Sequence, residues 1–407
     1  MGEVRPREQG DVAPPFHEAI DASATLPHTL REHRMNGAEP LLDLASCRRR
    51  QDRLRRHMAD RSLDAVVVVA PEHVQYLTGH RWDARFSPLA AVLASGDVLL
   101  VCPDRPVDQA AADEVRTYAA KWRSTLRNDQ RAASAAVFGD WLAARGTARR
   151  VGVEFSSCPP HVTRWFGDAA VEDIEPELLR QRRRKDPDEL AVLQRAINAT
   201  GAMVARAREV VAPGVSELTV FSELQAAAVA SCGEMLTGTG NDYASGVRGG
   251  PPRNRECVAG DLYILDLGPA YRGYFADTSR VIAVDRRPTD EQQAAWAHAC
   301  EALAIVERIA KPGVRCRDIY EEVRHWLATA NVGSWSSHLG HGIGLAVHEG
   351  PHLNPSWDDV LEEGEVIAVE PALYDPLLRN GLRIENDYLV TAAGLVNLSP
   401  FPLGLAD

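Results

Sequence analysis

The sequence predicts two units in series: an α/β domain near the N-terminus, then an α+β domain whose two halves repeat each other. Three observations carry that expectation. The chain has 407 residues, more than one hydrophobic core usually serves. Strand-like and helical stretches alternate between residues 41 and 178. From residue 185 onward, one set of signals occurs twice in the same order.

Residues 1–40 are rich in Pro, Glu, Arg and Gly, lack long periodicity, and read as an N-terminal extension. Arg48 to Met58 has the charge pattern of a helix. Leu63 to Ala70 contains a continuous β-branched run that suits a buried strand. A turn is expected at Pro71-Glu72. Ala90 to Leu93 and Val98 to Cys102 flank Ser95-Gly96-Asp97, the pattern of a hairpin. Ala110 to Ala120 and Gln130 to Arg145 are expected as helices and Val151 to Glu154 as a strand, which completes a domain over 41–178. Leu178 to Pro187 is the join. Its basic cluster, Arg182-Arg183-Arg184-Lys185, is expected at a solvated helix entrance. The second unit is placed at 185–407. A long helix is expected from Asp188 to about Val211, stopped by Pro213-Gly214. A second helix starts at Ser216, a capping residue, and runs to Ser231.

The repeat follows. Pro213-Gly214-Val215 is echoed by Pro312-Gly313-Val314, each ahead of an amphipathic helix. Gly260-Asp261 leads to Asp266 and Gly364-Glu365 leads to Glu370, with the same offset of six from glycine to carboxylate. A further strand in each half carries Asp277 and Glu385. This order implies duplication, a pseudo-twofold domain, and a site on its axis fed by both halves.

Chemistry concentrates in Ser337 to Pro351, where three histidines (His338, His341, His348) and four glycines fall within fifteen residues. Imidazole is a common neutral metal ligand and proton carrier. Asp266 and Glu370 lie in apolar strand-like runs, where an unpaired carboxylate costs several kcal/mol. Four carboxylates and one imidazole carry four negative charges, which two divalent cations would balance. Such a pair can share a water, lower its pKa and stabilise a tetrahedral intermediate. Taken singly, each residue has a plainer reading: an Asp paired with Arg280 or Arg383, or a loop histidine that is simply hydrogen-bonded.

Composition excludes other classes. With 45 Lys and Arg against 57 Asp and Glu, the net charge of -12 argues against duplex binding. No apolar run of about 18 residues occurs, so no membrane span is expected. Met1 to Pro6 lacks the apolar core of a signal peptide. The seven cysteines are scattered and odd in number, which points to a reducing, cytoplasmic setting.

These residues resemble the pita-bread metallopeptidase superfamily of methionine aminopeptidase, aminopeptidase P, prolidase and creatinase, over about residues 185–400. Tyr76-Leu77-Thr78-Gly79 is similar to the creatinase/prolidase N-terminal domain, which points to the two-domain prolidase/aminopeptidase P branch. The resemblance places the family's ligands on Asp266, Asp277, His341, Glu370 and Glu385. It implies that Asp266 and Asp277 hold one ion, His341 and Glu370 the other, with Asp277 and Glu385 bridging. Glu370 would also move the proton of the attacking water. His348 matches the family's second active-site histidine, near the scissile carbonyl, and Arg383 the arginine that orients the ligands from behind. His338 and, more weakly, His352 are placed on the substrate side. Manganese is the first expectation for the two ions, with iron, cobalt or zinc also suited to the donor set. A homodimer and hydrolysis of Xaa-Pro peptides are further implications.

One departure stands out. In that family another histidine precedes the first Asp ligand, yet here the matching window holds Val247, Arg248 and Gly249, and no histidine lies between His161 and His298. Arg248 or Arg253 could take its place and favour a carboxylate-bearing substrate, unless both sit on a solvated loop. A second reading therefore stands beside the peptidase: a relative that uses the same cage on a small zwitterion or cyclic amide, as dimethylsulfoniopropionate lyases and ectoine hydrolases do. A third, a metal-free binding module, is opposed by the mutual repulsion of four close carboxylates.

Overall fold

The computed structural model describes residues 42–104, 107, 109–146, 148–240, 242–335 and 337–406. The expected extension over 1–40 lies outside them.

The N-terminal unit is built on a six-stranded mixed sheet. Its order is Glu114–Tyr118, Val98–Pro103, Leu89–Leu93, Ala65–Val68, Arg150–Val153, Ala170–Asp173. The two inner pairings from Val98–Pro103 to Ala65–Val68 are antiparallel, and the three flanking ones are parallel. Alternation along each strand divides the side chains between two cores. Val66, Val68, Ala90, Val92 and Leu100 face the helices Leu44–Arg61 and Pro71–Thr78. Ala65, Val67, Leu89, Leu99 and Val101 face Phe138 and Trp141 of the helix Gln130–Ala143. The first core does not stop at the domain. It continues through Leu193 and Ile197 to Tyr274, Ile343 and Val366 in the second unit. One apolar body therefore spans both.

Three local expectations are corrected. Ala110 to Ala120 is not helical; Glu114–Tyr118 is an edge strand, parallel to Val98–Pro103 with Val115 opposite Leu100. Ala110 to Ala112 favour a helix locally, but sheet pairing by the β-branched Val115 and Thr117 prevails. Pro71-Glu72 is not a free turn but the first turn of the helix Pro71–Thr78, where proline suits the opening position. The basic cluster at 182–185 is solvated only at Arg184: Arg182 and Lys185 are 3% and 7% exposed and paired with Glu349. Arg183 is paired with Asp359 and Glu365.

The second unit repeats itself. Helices Pro187–Val210 and Glu217–Cys232 precede the strands Leu262–Leu267 and Thr278–Ala283. Helices Asp290–Ile309 and Cys316–Leu327 precede the strands Val366–Val369 and Asn386–Thr391. The turns between the helices are tied identically. Gly214 N–H donates to Cys257 and Cys257 N–H to Val215; Gly313 N–H donates to Leu361 and Leu361 N–H to Val314. Ser216 caps its helix by accepting the Thr219 N–H. The first strand pair stands alone, whereas the second joins a five-stranded sheet, Glu349–Leu353, Gly340–Gly342, Val366–Val369, Asn386–Thr391, Gly394–Asn397.

Candidate metal centre

Both halves deliver their carboxylates to one place. Asp266 lies in the strand Leu262–Leu267, opposite Ser279, and Asp277 immediately precedes the partner strand. In the second half Glu370 follows the strand Val366–Val369 and Glu385 precedes Asn386–Thr391. The halves are stitched together at these residues: Glu385 N–H donates to Ser279 O at 3.0 Å, and Asp277 N–H to Asp387 Oδ2 at 3.3 Å. His341 is the middle residue of Gly340–Gly342, opposite Ala368 on one side and His352 on the other. A Cβ at Gly340 would run into the Ala368 carbonyl, and one at Gly342 into the Gly350 carbonyl. Only glycine lets this strand approach its neighbours closely enough to bury His341.

Side-chain oxygens of Asp266, Asp277 and Glu385 lie within 4.8 Å of one another. So do ligand atoms of His338, His341 and Glu370, and of Asp277, His341 and His348. These groups share Asp277 and His341, so they form one centre. His341 Nδ1 donates to Gly342 O at 3.0 Å, which leaves the Nε2 lone pair facing Glu370 Oε1 at 3.5 Å and Asp277 Oδ2 at 3.6 Å. Asp266 Oδ1 and Glu385 Oε2 are buried without a hydrogen-bond partner. Burial and the neighbouring carboxylates push Asp277 and Glu385 well above the usual carboxylate range. Divalent cations would give the two bare oxygens a partner and remove the repulsion, so the donor set fits such ions.

The surrounding groups are arranged about this charge. His338 Nε2 stands 2.5 Å from Glu370 Oε1. That bond raises the His338 pKa, while burial of Glu370 is outweighed by His338 and His341, which hold it far below its ordinary range. His348 stacks on His341 with centroids 3.8 Å apart. Although the residue is exposed at the tip, partial desolvation of its ring and the two neighbouring imidazoles push it down to about 4, so it is neutral at neutral pH. Burial opposes the charge of Arg383, but Asp266 and its neighbours more than offset it. Its NH2 donates to Asp266 Oδ2 at 2.6 Å and also to Asp242.

Three other sequence candidates fare differently. His352 Nδ1 is 2.9 Å from Asp359 Oδ2, and its ring stacks on Trp357. Arg253 is engaged away from any substrate: Nε and NH2 clamp Glu217 at 2.9 and 2.6 Å. Arg248 is exposed and lies over the Tyr374 ring, 4.8 Å from its centroid. The Tyr374 hydroxyl accepts from Arg383 NH1 at 3.3 Å, so Arg248 stands at the rim of the centre. Arg280, one of two arginines considered for Asp266, instead donates to the carbonyls of Ser279 and Glu385 and to Asn386.

Sequence reasoning missed Asp242, Tyr374 and Asp387. Asp242 receives Arg383 and the Gly250 N–H, which folds the 246–253 loop against the centre. Asp387, pushed up to about 8 mainly by burial, receives the Asp277 N–H and the Thr278 hydroxyl. Only Asp387 had a local signal, its place two residues after Glu385 in a strand.

Fold and site together define a two-domain chain with a buried carboxylate–imidazole cluster suited to hold metal. Residues 191–392 match the model of metallopeptidase family M24, and residues 50–184 that of the creatinase/prolidase N-terminal domain. An Xaa-Pro dipeptidase of Pyrococcus horikoshii is 26% identical over 351 residues, covering 84% of this chain and 94% of the relative. A probable dipeptidase PepE of Mycobacterium tuberculosis is 32% identical over 231 residues, 55% of this chain and 60% of the relative. An Xaa-Pro dipeptidase structure from Bacillus anthracis superposes with a TM-score of 0.75 at 24% identity, covering 88% of this chain and 99% of the other. The chain belongs to metallopeptidase family M24 and carries the creatinase/prolidase N-terminal domain. Membership makes it a hydrolase of a metal-dependent family. Among the described residues, no helix is long and apolar enough to cross a membrane.

Proposed function

We propose that this chain is a two-metal peptidase acting on short Xaa-Pro peptides, as dipeptidase or aminopeptidase. The observation that carries the reading is the shared centre of Asp266, Asp277, His341, Glu370 and Glu385, with two bare buried oxygens. Asp266, Asp277, His341, Glu370 and Glu385 would hold the ions. Divalent ions bound there would supply Lewis acidity toward the scissile carbonyl and the attacking water. Glu370, fixed by His338, takes the proton of the attacking water and passes it to the leaving nitrogen. His348, neutral and stacked beside His341, meets the carbonyl side of the substrate. Arg383 keeps Asp266 aimed at the centre. Arg248, over Tyr374 at the rim, receives the substrate carboxylate, which favours dipeptides. Manganese, a homodimer and a cytoplasmic setting complete the proposal; seven free cysteines support a reducing compartment.

A second reading is favoured by one observation. The 246–253 loop presents no imidazole, and Asp242 and Glu217 hold its backbone through Gly250 and Arg253. In that reading the same centre cleaves a small zwitterion or cyclic amide. Turnover of Xaa-Pro dipeptides against such substrates, with metal-loaded protein, separates the two.

A further inference from the structure

A buried chain of polar groups crosses from the N-terminal sheet to the metal centre. It begins at Glu154, fully buried just after the strand Arg150–Val153. Its carboxylate accepts the Val69 and Ala70 N–H groups at 2.5 and 3.1 Å and lies 2.5 Å from His73 Nδ1. His73 Nε2 is 2.9 Å from Arg182 NH1. A guanidinium only donates, so His73 Nε2 accepts and His73 Nδ1 carries the proton to Glu154. Arg182 NH2 donates in turn to Glu349 Oε1, and Lys185 Nζ meets Glu349 Oε2 at 3.3 Å. All five residues are at most 7% exposed.

The far end is specific. Glu349 Oε1 also accepts the Ala346 N–H at 2.9 Å, so one carboxylate closes the tip that carries Val347 and His348. Val347 and His348 are themselves exposed. Among the described residues, the side-chain contacts that hold His348 are ring contacts with His341 and His338. Stability alone is weak grounds for such a chain, because whole buried ion pairs can often be replaced by packed apolar groups at no loss, even where removing one partner is costly. Its geometry accounts for a fixed His348: a fork donor joins two acceptors, one anchored in each domain.

We propose that His73 is a positioning residue for the metal centre, setting the His348 imidazole through Arg182 and Glu349. The effect on turnover rests on the peptidase reading above; the ring position does not. The test uses the full chain, zinc-loaded and labelled with 15N-histidine, with His348 ring signals assigned by His348→Ala. His73→Leu is expected to shift those signals, His73→Gln to restore them, and His161→Ala, on the exposed surface of the same domain, to leave them in place. On a peptide that the protein cleaves, His73→Leu is expected to lower kcat about tenfold with KM nearly unchanged. That loss should vanish in a His348→Ala background. Unmoved His348 signals in zinc-loaded His73→Leu would overturn the proposal, as would an equal loss in both backgrounds. If the leucine variant does not fold, Arg182→Lys, which keeps charge but loses the fork, gives the same ring readout with the same two outcomes. Absence of turnover on every peptide would count against the peptidase reading alone.

Discussion

Glu349→Gln isolates the charge at the end of the interdomain chain. Burial alone would raise the Glu349 carboxyl, but Arg182 and Lys185 outweigh it and bring it from 4.5 to about 2. A depressed folded-state pKa stabilises above the unfolded value and loses that contribution as pH falls through the folded one. The interval from 4.5 to about 2 converts to roughly 3 kcal/mol at neutral pH. This is the lower end of the ~3–5 kcal/mol seen when one partner of a buried pair is removed. Glutamine keeps the shape and an acceptor but cannot titrate. Urea unfolding should therefore find the variant less stable than wild type by roughly 3 kcal/mol at pH 7 and roughly 2 kcal/mol at pH 3.5. The gap should close further as pH approaches 2. A gap that stays constant or widens with acid would show that the carboxylate is not held ionised by Arg182 and Lys185, and would refute the reasoning.

Other outcomes follow from the same geometry. Gly249→His should not restore the family's upstream histidine: φ is +150° there and a Cβ would meet the Asp242 carboxylate. A loss of about 1–3 kcal/mol in urea unfolding is expected, without a gain in peptide turnover. Arg248→Ala should raise KM for dipeptides at least tenfold, the order of one charge-assisted contact, and leave carboxyl-amidated peptides unaffected; steady-state kinetics on both series checks it. Divalent ions at about 100 times their Kd should add about 2.7 kcal/mol of stability. Asp277→Asn should abolish most of that gain, as read by unfolding with and without metal.

The centre was legible because its chemistry is written locally. Asp266 and Glu370 occupy the same offset from Gly260 and Gly364, and His341 sits between two glycines that the strand packing requires. The repeated halves were legible for the same reason, down to the paired Pro-Gly turns. What escaped depends on partners distant in sequence. Arg182 and Glu349 are separated by 167 positions, and Arg383 and Asp242 by 141. No local pattern tells an arginine run that faces solvent from one that is buried against a carboxylate of the other domain. The strand Glu114–Tyr118 escaped because it is an edge strand, defined by its pairing with Val98–Pro103.

The most direct test of the central claim is hydrolysis of a panel of Xaa-Pro dipeptides and longer Xaa-Pro peptides. The protein would be stripped, reloaded with manganese, and compared with Asp266→Ala. The account predicts turnover that depends on metal, disappears in the variant, and favours dipeptides. Two bound metals per chain with no cleavage of any Xaa-Pro bond would contradict it and direct attention to small zwitterions and cyclic amides.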